Sequence, residues 1–275
     1  MFDIEKQQLS DNERARKFDA MRLPSIKHAQ PGFSTLTLPD DDSADFKPAA
    51  GEEHGVVIGD SVLTLEPKMS SIAAEAVQYS TFYAQIWAND KYPNKEKDLR
   101  EWYGEYTDAM TYMGWNMTAF NFKEQQNNNT SVDVDQVALK MLAAAAGPGA
   151  AGLVLMNSIR AGLAGLQESN EAAGLFHRES TKDTNASFQL MPAGERSNGT
   201  PLVLLNSVYC STKKNKGKIL FISWNNSDVR IWGNAQRMEM LMSIYDQVKS
   251  KVREELGDYL VSGFHQKFKL KRKPK

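Results

Sequence analysis

The sequence predicts a mixed α+β fold: a small antiparallel sheet covered by helical hairpins. Three observations predict it. The runs PLVLLNSVYCS (201–211) and ILFISW (219–224) are rich in β-branched and aromatic residues and are bounded by turn-forming residues. Several longer stretches repeat apolar residues at three- and four-residue steps, as an amphipathic helix requires. Twice, two such helices are followed by an alternating strand, which suggests two related helix–helix–strand motifs.

The elements follow in order. Residues 1–54 read as an extended N-terminal arm, punctuated by Pro24, Pro31, Pro39 and Pro48, with a short helix around 10–22. Val56–Ile58 and Val62–Leu65, joined by Gly59–Asp60, form a hairpin. Ser70 or Ser71 caps a helix to about Asn89, with a stripe of Ile72, Ala76, Tyr79, Phe82, Tyr83 and Ile86. Pro93 ends the connection and Asn94 caps a second helix. Its apolar face is Leu99, Trp102, Tyr103, Tyr106, Met110 and Met113, and Gly114 stops it. Residues 115–123 alternate as a strand.

The second motif comprises two Ala-rich helices, 132–146 and 150–166, around Gly147-Pro148-Gly149. A short helix over 170–177 and a strand over 187–195 follow. Asn198-Gly199 turns the chain into the strand 201–211. The expectation is that this strand pairs with 219–224 in a hairpin at the sheet centre. A long helix then covers 234–256, facing inward with Met238, Leu241, Met242, Tyr245, Val248, Val252 and Leu256, and Gly257 stops it. Residues 55–263 form a single domain on this reading, and 264–275 are a basic C-terminal tail.

Composition narrows the function. The chain has 275 residues, of which 41% are hydrophobic and 24% charged, values that suit a folded domain with a sizeable core. One cysteine forms no internal disulfide and no cysteine-based metal site. His28, His54, His177 and His265 lack ligand spacing, so no metal is expected. The net charge of −1 conceals a split. Residues 1–130 carry 13 basic and 21 acidic groups, whereas residues 201–275 carry 15 and 6. The charged start lacks the apolar stretch of a secretory signal. The uncharged run Met141–Ile159 has the length of a membrane span, but Gly-Pro-Gly breaks it, and a helical hairpin in a soluble core reads better. The glycine-rich 147–152 segment lacks the Lys-Ser/Thr of a P-loop, and Gly59-Asp60-Ser61 is a turn rather than a nucleophile elbow. Trp102, Tyr103 and Tyr106 read as core.

Cys210 is the residue with a specific chemistry. Leu202, Leu204, Val208 and Cys210 share parity on their strand, so the thiol closes an apolar face. Three readings stay open on the residues alone. The thiol is an inert core group; or a nucleophile with His177 or His265 as base, in an acyltransferase or thioesterase; or an acylation site, with Lys213, Lys214 and Lys216 favouring the thiolate. The tail holds six Lys/Arg in its last nine residues, interleaved with Phe268 and Leu270. Lys267, Lys269, Lys271, Arg272 and Lys273 are candidate membrane contacts, since a polybasic patch is a usual second signal beside one acyl chain. A binding module working through this tail is a further reading. The chain carries no nucleic-acid fold signature, and no nucleic-acid partner is expected.

The block TPLVLLNSVYCSTKKNKGKILFISWNNSDVRIWGNAQRMEML resembles the Erwinia virulence factor family of insect-associated bacteria. The resemblance implies an α/β fold of two related motifs and a palmitate joined to Cys210 through a thioester. It further implies a non-enzymatic virulence factor that promotes persistence in the insect gut. Its partners would be membrane lipids and a host target the sequence does not name. Such a protein is made in the bacterial cytoplasm without a signal peptide and meets membranes peripherally, through the lipid.

Overall fold

The computed structural model describes residues 2–24, 54–117, 119–126, 129–214, 218–257, 259 and 265–269, with backbone alone for 54 and 265–269. The fold is mixed α+β, as expected: among the described residues seven helices flank a largely antiparallel sheet.

The sheet centre is made of three long strands, β8 (Asn185–Glu195), β9 (Pro201–Thr212) and β11 (Val229–Met240). β9 pairs antiparallel with both neighbours. On the β8 side follow β3 (Ser61–Leu65), β2 (His54–Ile58) and β12 (His265–Lys269); among the described residues only the β3–β8 pairing is parallel. On the β11 side lie β4 (Trp115–Asn116), β5 (Phe120–Glu124) and β1 (Phe2–Ile4). The two-residue β7 (Thr181–Lys182) pairs with β8. A separate ladder joins β6 (Ser131–Asp133) to β10 (Ser223–Asn225).

Alternation along the strands divides the core in two. On the first face, Leu63, Met191, Val203, Leu205 and Met238 meet α1 (Asp11–Ala20), α2 (Ser71–Lys91), α3 (Leu99–Tyr112) and α7 (Met242–Leu256). On the second, Val62, Leu190, Leu204, Val208 and Ile231 meet α4 (Val134–Ala146), α5 (Ala150–Glu168) and α6 (Asn170–Ser180). The two expected helix–helix–strand runs are present, and their helices lie on opposite faces. α2 is buried along most of its length. Its hydroxyls bond back to the helix, Ser80 to the Ala76 carbonyl at 2.6 Å and Thr81 to that of Val77 at 2.8 Å, so they enter the core without orphaned donors.

Residues 2–24 are packed onto the body. A capping box of Ser10 and Glu13 starts α1. Phe18 is fully buried, and the Lys251 ammonium of α7 donates to the carbonyls of Phe18 and Asp19 at 2.8 and 2.9 Å, which caps the end of α1. Of the arm, residues 25–53 lie outside the described residues.

Three expectations need correction. The partner of β9 is β11, not 219–224. In that segment Ile219 and Leu220 are buried in succession rather than in alternation, and they lie over the second face. Only Ser223–Asn225 is a strand, and it pairs with β6. The long helix from Asn234 is instead a strand to Met240 and a helix from Met242. Met238 and Met242 fit both periods, which is why the helical reading absorbed the strand; Leu241 is exposed at the junction. The strand 115–123 is interrupted, its two pieces pairing separately with β11. One boundary also shifts, and one stripe residue turns outward. Asn94 accepts from the N–H groups of Lys97 and Asp98 in a turn before α3, and Ile72 of the α2 stripe faces solvent.

Candidate functional site

Cys210 lies where its parity put it. It is paired between Ala186 of β8 and Ile231 of β11, and its side chain is fully buried in the second core. Ile219 and Leu220 join the same apolar cluster, together with Phe176 of α6 and Val134 of α4. The segment 219–224 therefore packs into the same apolar core as the thiol, as a cover over that face. It is tied to the body at its end, where Trp224 pairs with Val132 and the Asn226 N–H just beyond donates to the Thr130 carbonyl at 3.0 Å, and the Trp224 indole braces it internally by donating to the Ile219 carbonyl at 3.5 Å. Within it Phe221 has φ 62°, a left-handed conformation that costs a non-glycine residue about 1 kcal/mol or more. Strained backbone beside a buried functional group is where a movable element is expected.

The electrostatics differ from the expectation. Burial pushes the Cys210 thiol well above its ordinary range. Desolvation outweighs whatever field Lys213 and Lys214 provide; Lys216 lies outside the described residues. Among the described residues the thiol makes no hydrogen bond. His177, on α6, has an Nδ1 without a partner, and burial with the nearby Lys218 charge lowers its proton affinity. It does not reach the thiol by a hydrogen bond. His265 is on β12, four strands from β9, a backbone separation of about 19 Å at ~4.8 Å per strand. The structure thus does not bring either histidine to Cys210 as a base. Of the candidate membrane contacts, Lys267 and Lys269 fall on β12, whose backbone alone is described. Lys271, Arg272 and Lys273 lie outside the described residues.

Sequence reasoning missed a second feature. On the first face, Ser61, Gln189, Ser207 and Asn234 occupy adjacent strands in register, forming one polar row across the sheet. Gln85 of α2 donates to the Ser61 hydroxyl at 2.5 Å, which donates to Gln189 at 2.7 Å. The Ser207 and Tyr103 hydroxyls have no partner there. At the margin Lys95 pairs with Asp60 and lies 3.4 Å from the centre of the Trp102 ring. Burial raises the Asp60 carboxyl despite that cation. The residues are polar and dispersed in sequence, so only strand pairing reveals them. Among the described residues no group of three His, Cys, Asp or Glu is placed to hold a metal, and no helix is long and apolar enough to cross a membrane.

No family model and no curated relative matches the chain. Among solved structures, it is similar to one described as the structure of the Evf virulence factor, with a TM-score of 0.33 and 15% identity. The match covers 80% of this chain and 86% of that one. It is a distant structural neighbour.

Proposed function

We propose that the protein is a bacterial virulence factor that carries palmitate on Cys210 through a thioester and acts at membranes in an insect host gut. The observation that carries the reading is the chemical setting of the thiol. It ends an apolar face, has neither a histidine base nor a hydrogen-bond partner among the described residues, and is held protonated by burial. That setting disfavours a nucleophile that must turn over repeatedly. A thioester, in contrast, is neutral and has no titratable proton, and its chain is at home among Leu204, Val208 and Ile231.

Acylation is a thiol exchange. The Cys210 thiolate attacks the carbonyl of an acyl thioester, the new S–C bond forms as the donor's C–S bond breaks, and the donor leaves as a thiolate. A fully buried thiol does not meet a bulky donor, so the step belongs to a moment when the cover is lifted or the fold is incomplete. Insect-gut persistence rests on the resemblance of residues 200–240 and is read by a host colonisation assay with the Cys210→Ser variant.

The deciding measurement is the intact mass of natively produced protein before and after hydroxylamine. The expected result is a palmitoyl adduct lost on treatment and absent from Cys210→Ser. A bare thiol in the native protein would overturn the proposal.

A further inference from the structure

We infer that the tip of the α4–α5 hairpin is a second membrane-contact surface, one that inserts shallowly into the headgroup region of an anionic bilayer. It goes beyond the acylated cysteine and needs no acyl chain.

Between Lys140 and Arg160 the chain carries no charged residue. The structure folds this run into two antiparallel helices and turns part of it outward. Ala143, Ala144, Gly147, Pro148, Gly149, Ala150, Ala151, Leu153 and Val154 are exposed, and Asn157 is the one polar exposed side chain of the run. Leu153 and Val154 are 60% and 40% exposed, side by side on the first turns of α5. A water-facing helical hairpin normally carries charge on such a surface. Here it is apolar at the tip, and both charges that bound it, Lys140 and Arg160, are basic and exposed. That order, apolar tip and then a basic collar, matches a bilayer surface with acidic headgroups.

The backbone is also suited to leaving water. The connection is only Gly147-Pro148-Gly149, and proline has no N–H to orphan. Gly147 and Gly149 take φ of 66° and 135°, so the turn is tight. A Cβ on Gly152 would stand 2.9 Å from the Ala146 carbonyl oxygen, so the two limbs close directly upon one another. The free N–H groups of the first turn of α5 point outward along the helix axis, where phosphate oxygens accept hydrogen bonds. The five residues from Ala150 to Val154 span about 7 Å of helix, within the ~5–10 Å depth of interfacial insertion.

The test uses full-length protein stripped of any thioester by hydroxylamine, floated with vesicles of phosphatidylcholine alone or mixed with phosphatidylglycerol. The expected result is flotation with the mixed vesicles, weakened about tenfold or more by Leu153→Asp, while the melting temperature stays within a few degrees because the side chain is exposed. A polarity-sensitive dye on Ala151→Cys, in a Cys210→Ser background so that only position 151 takes the label, reads insertion directly; a blue shift on adding mixed vesicles is expected. Equal flotation of Leu153→Asp, or an unshifted dye, would overturn the inference. So would a wild-type dimer in the absence of lipid that Leu153→Asp converts to a monomer, which would make the tip a contact between copies. The thioester is read separately by mass, so either idea fails without the other.

Discussion

The cover over Cys210 makes a quantitative prediction about thiol access. The perturbation is Leu220→Ala in protein with a free thiol. Leu220 is fully buried and belongs to the same apolar cluster as Cys210. Truncating a leucine in a packed core costs about 2–5 kcal/mol. The neighbouring Phe221 and Ile222 are only half-buried, so the low end, about 2 kcal/mol, applies. If the segment lifts as a local unit, that cost falls on the closed state, and the open population rises about 30-fold, at ~1.4 kcal/mol per tenfold. The assay is the rate of labelling of Cys210 by a small disulfide reagent, followed at increasing urea below the unfolding transition. A local opening exposes little surface, so the rate should vary weakly with urea, and Leu220→Ala should raise the whole line about 30-fold. The reasoning is refuted if labelling follows urea with the full slope of global unfolding, or if Leu220→Ala leaves the rate unchanged. In either case the acyl donor would have access only to an unfolded chain.

Other predictions concern stability. Lys95 and Asp60 are nearly buried, their side chains 15% and 8% exposed, so Lys95→Met should cost about 3–5 kcal/mol in urea unfolding. The double change Lys95→Met with Asp60→Leu should recover most of it. Breaking the exposed Arg230–Glu124 pair, 65% and 37% exposed, should cost about 1 kcal/mol or less. The Asp60 carboxyl is held above its ordinary 3.8, so the folded state binds that proton more tightly than the unfolded chain. Stability from this group is therefore lost as pH rises from 3.8 through the raised value and regained on acidification. In Lys95→Met the window should extend further upward, visible as a melting temperature that falls more steeply with pH. Gly114, at φ 105° with the Leu241 carbonyl 2.8 Å from where a Cβ would be, should not accept alanine: Gly114→Ala should lose about 1–3 kcal/mol by chemical denaturation.

Much of this was legible in the chain. α2, α4 and α5 declare themselves by apolar stripes and by Ser70 and the Gly-Pro-Gly break. The parity of Leu202, Leu204, Val208 and Cys210 alone put the thiol on the buried apolar face. β11 was not legible, because it sits between two strands yet carries Arg230, Asn234, Gln236 and Arg237. Its inward residues include Gly233 and Ala235, too small to register as an apolar stripe. Hydrophobic periodicity weighs side chains, whereas this strand is held by its ladder to β9 and by close approach. A Cβ on Gly233 would run into the Met141 side chain of α4. The polar row of Ser61, Gln189 and Ser207 was invisible for another reason: it exists only across strand register, between residues up to 146 positions apart.

Among the described residues the sheet's two margins are β1 and β12, one drawn from each end of the chain. Inside β12 lies β2, whose Val56, Val57 and Ile58 are fully buried, an uncharged apolar strand. Stripped of β12 it would present a row of open hydrogen-bond donors and acceptors, the kind of template along which chains stack into aggregates. Lysine-bearing β12 is thus a guard strand over β2. Residues 265–269 protect solubility, so versions of this protein shortened before His265 are expected to fail first by aggregation.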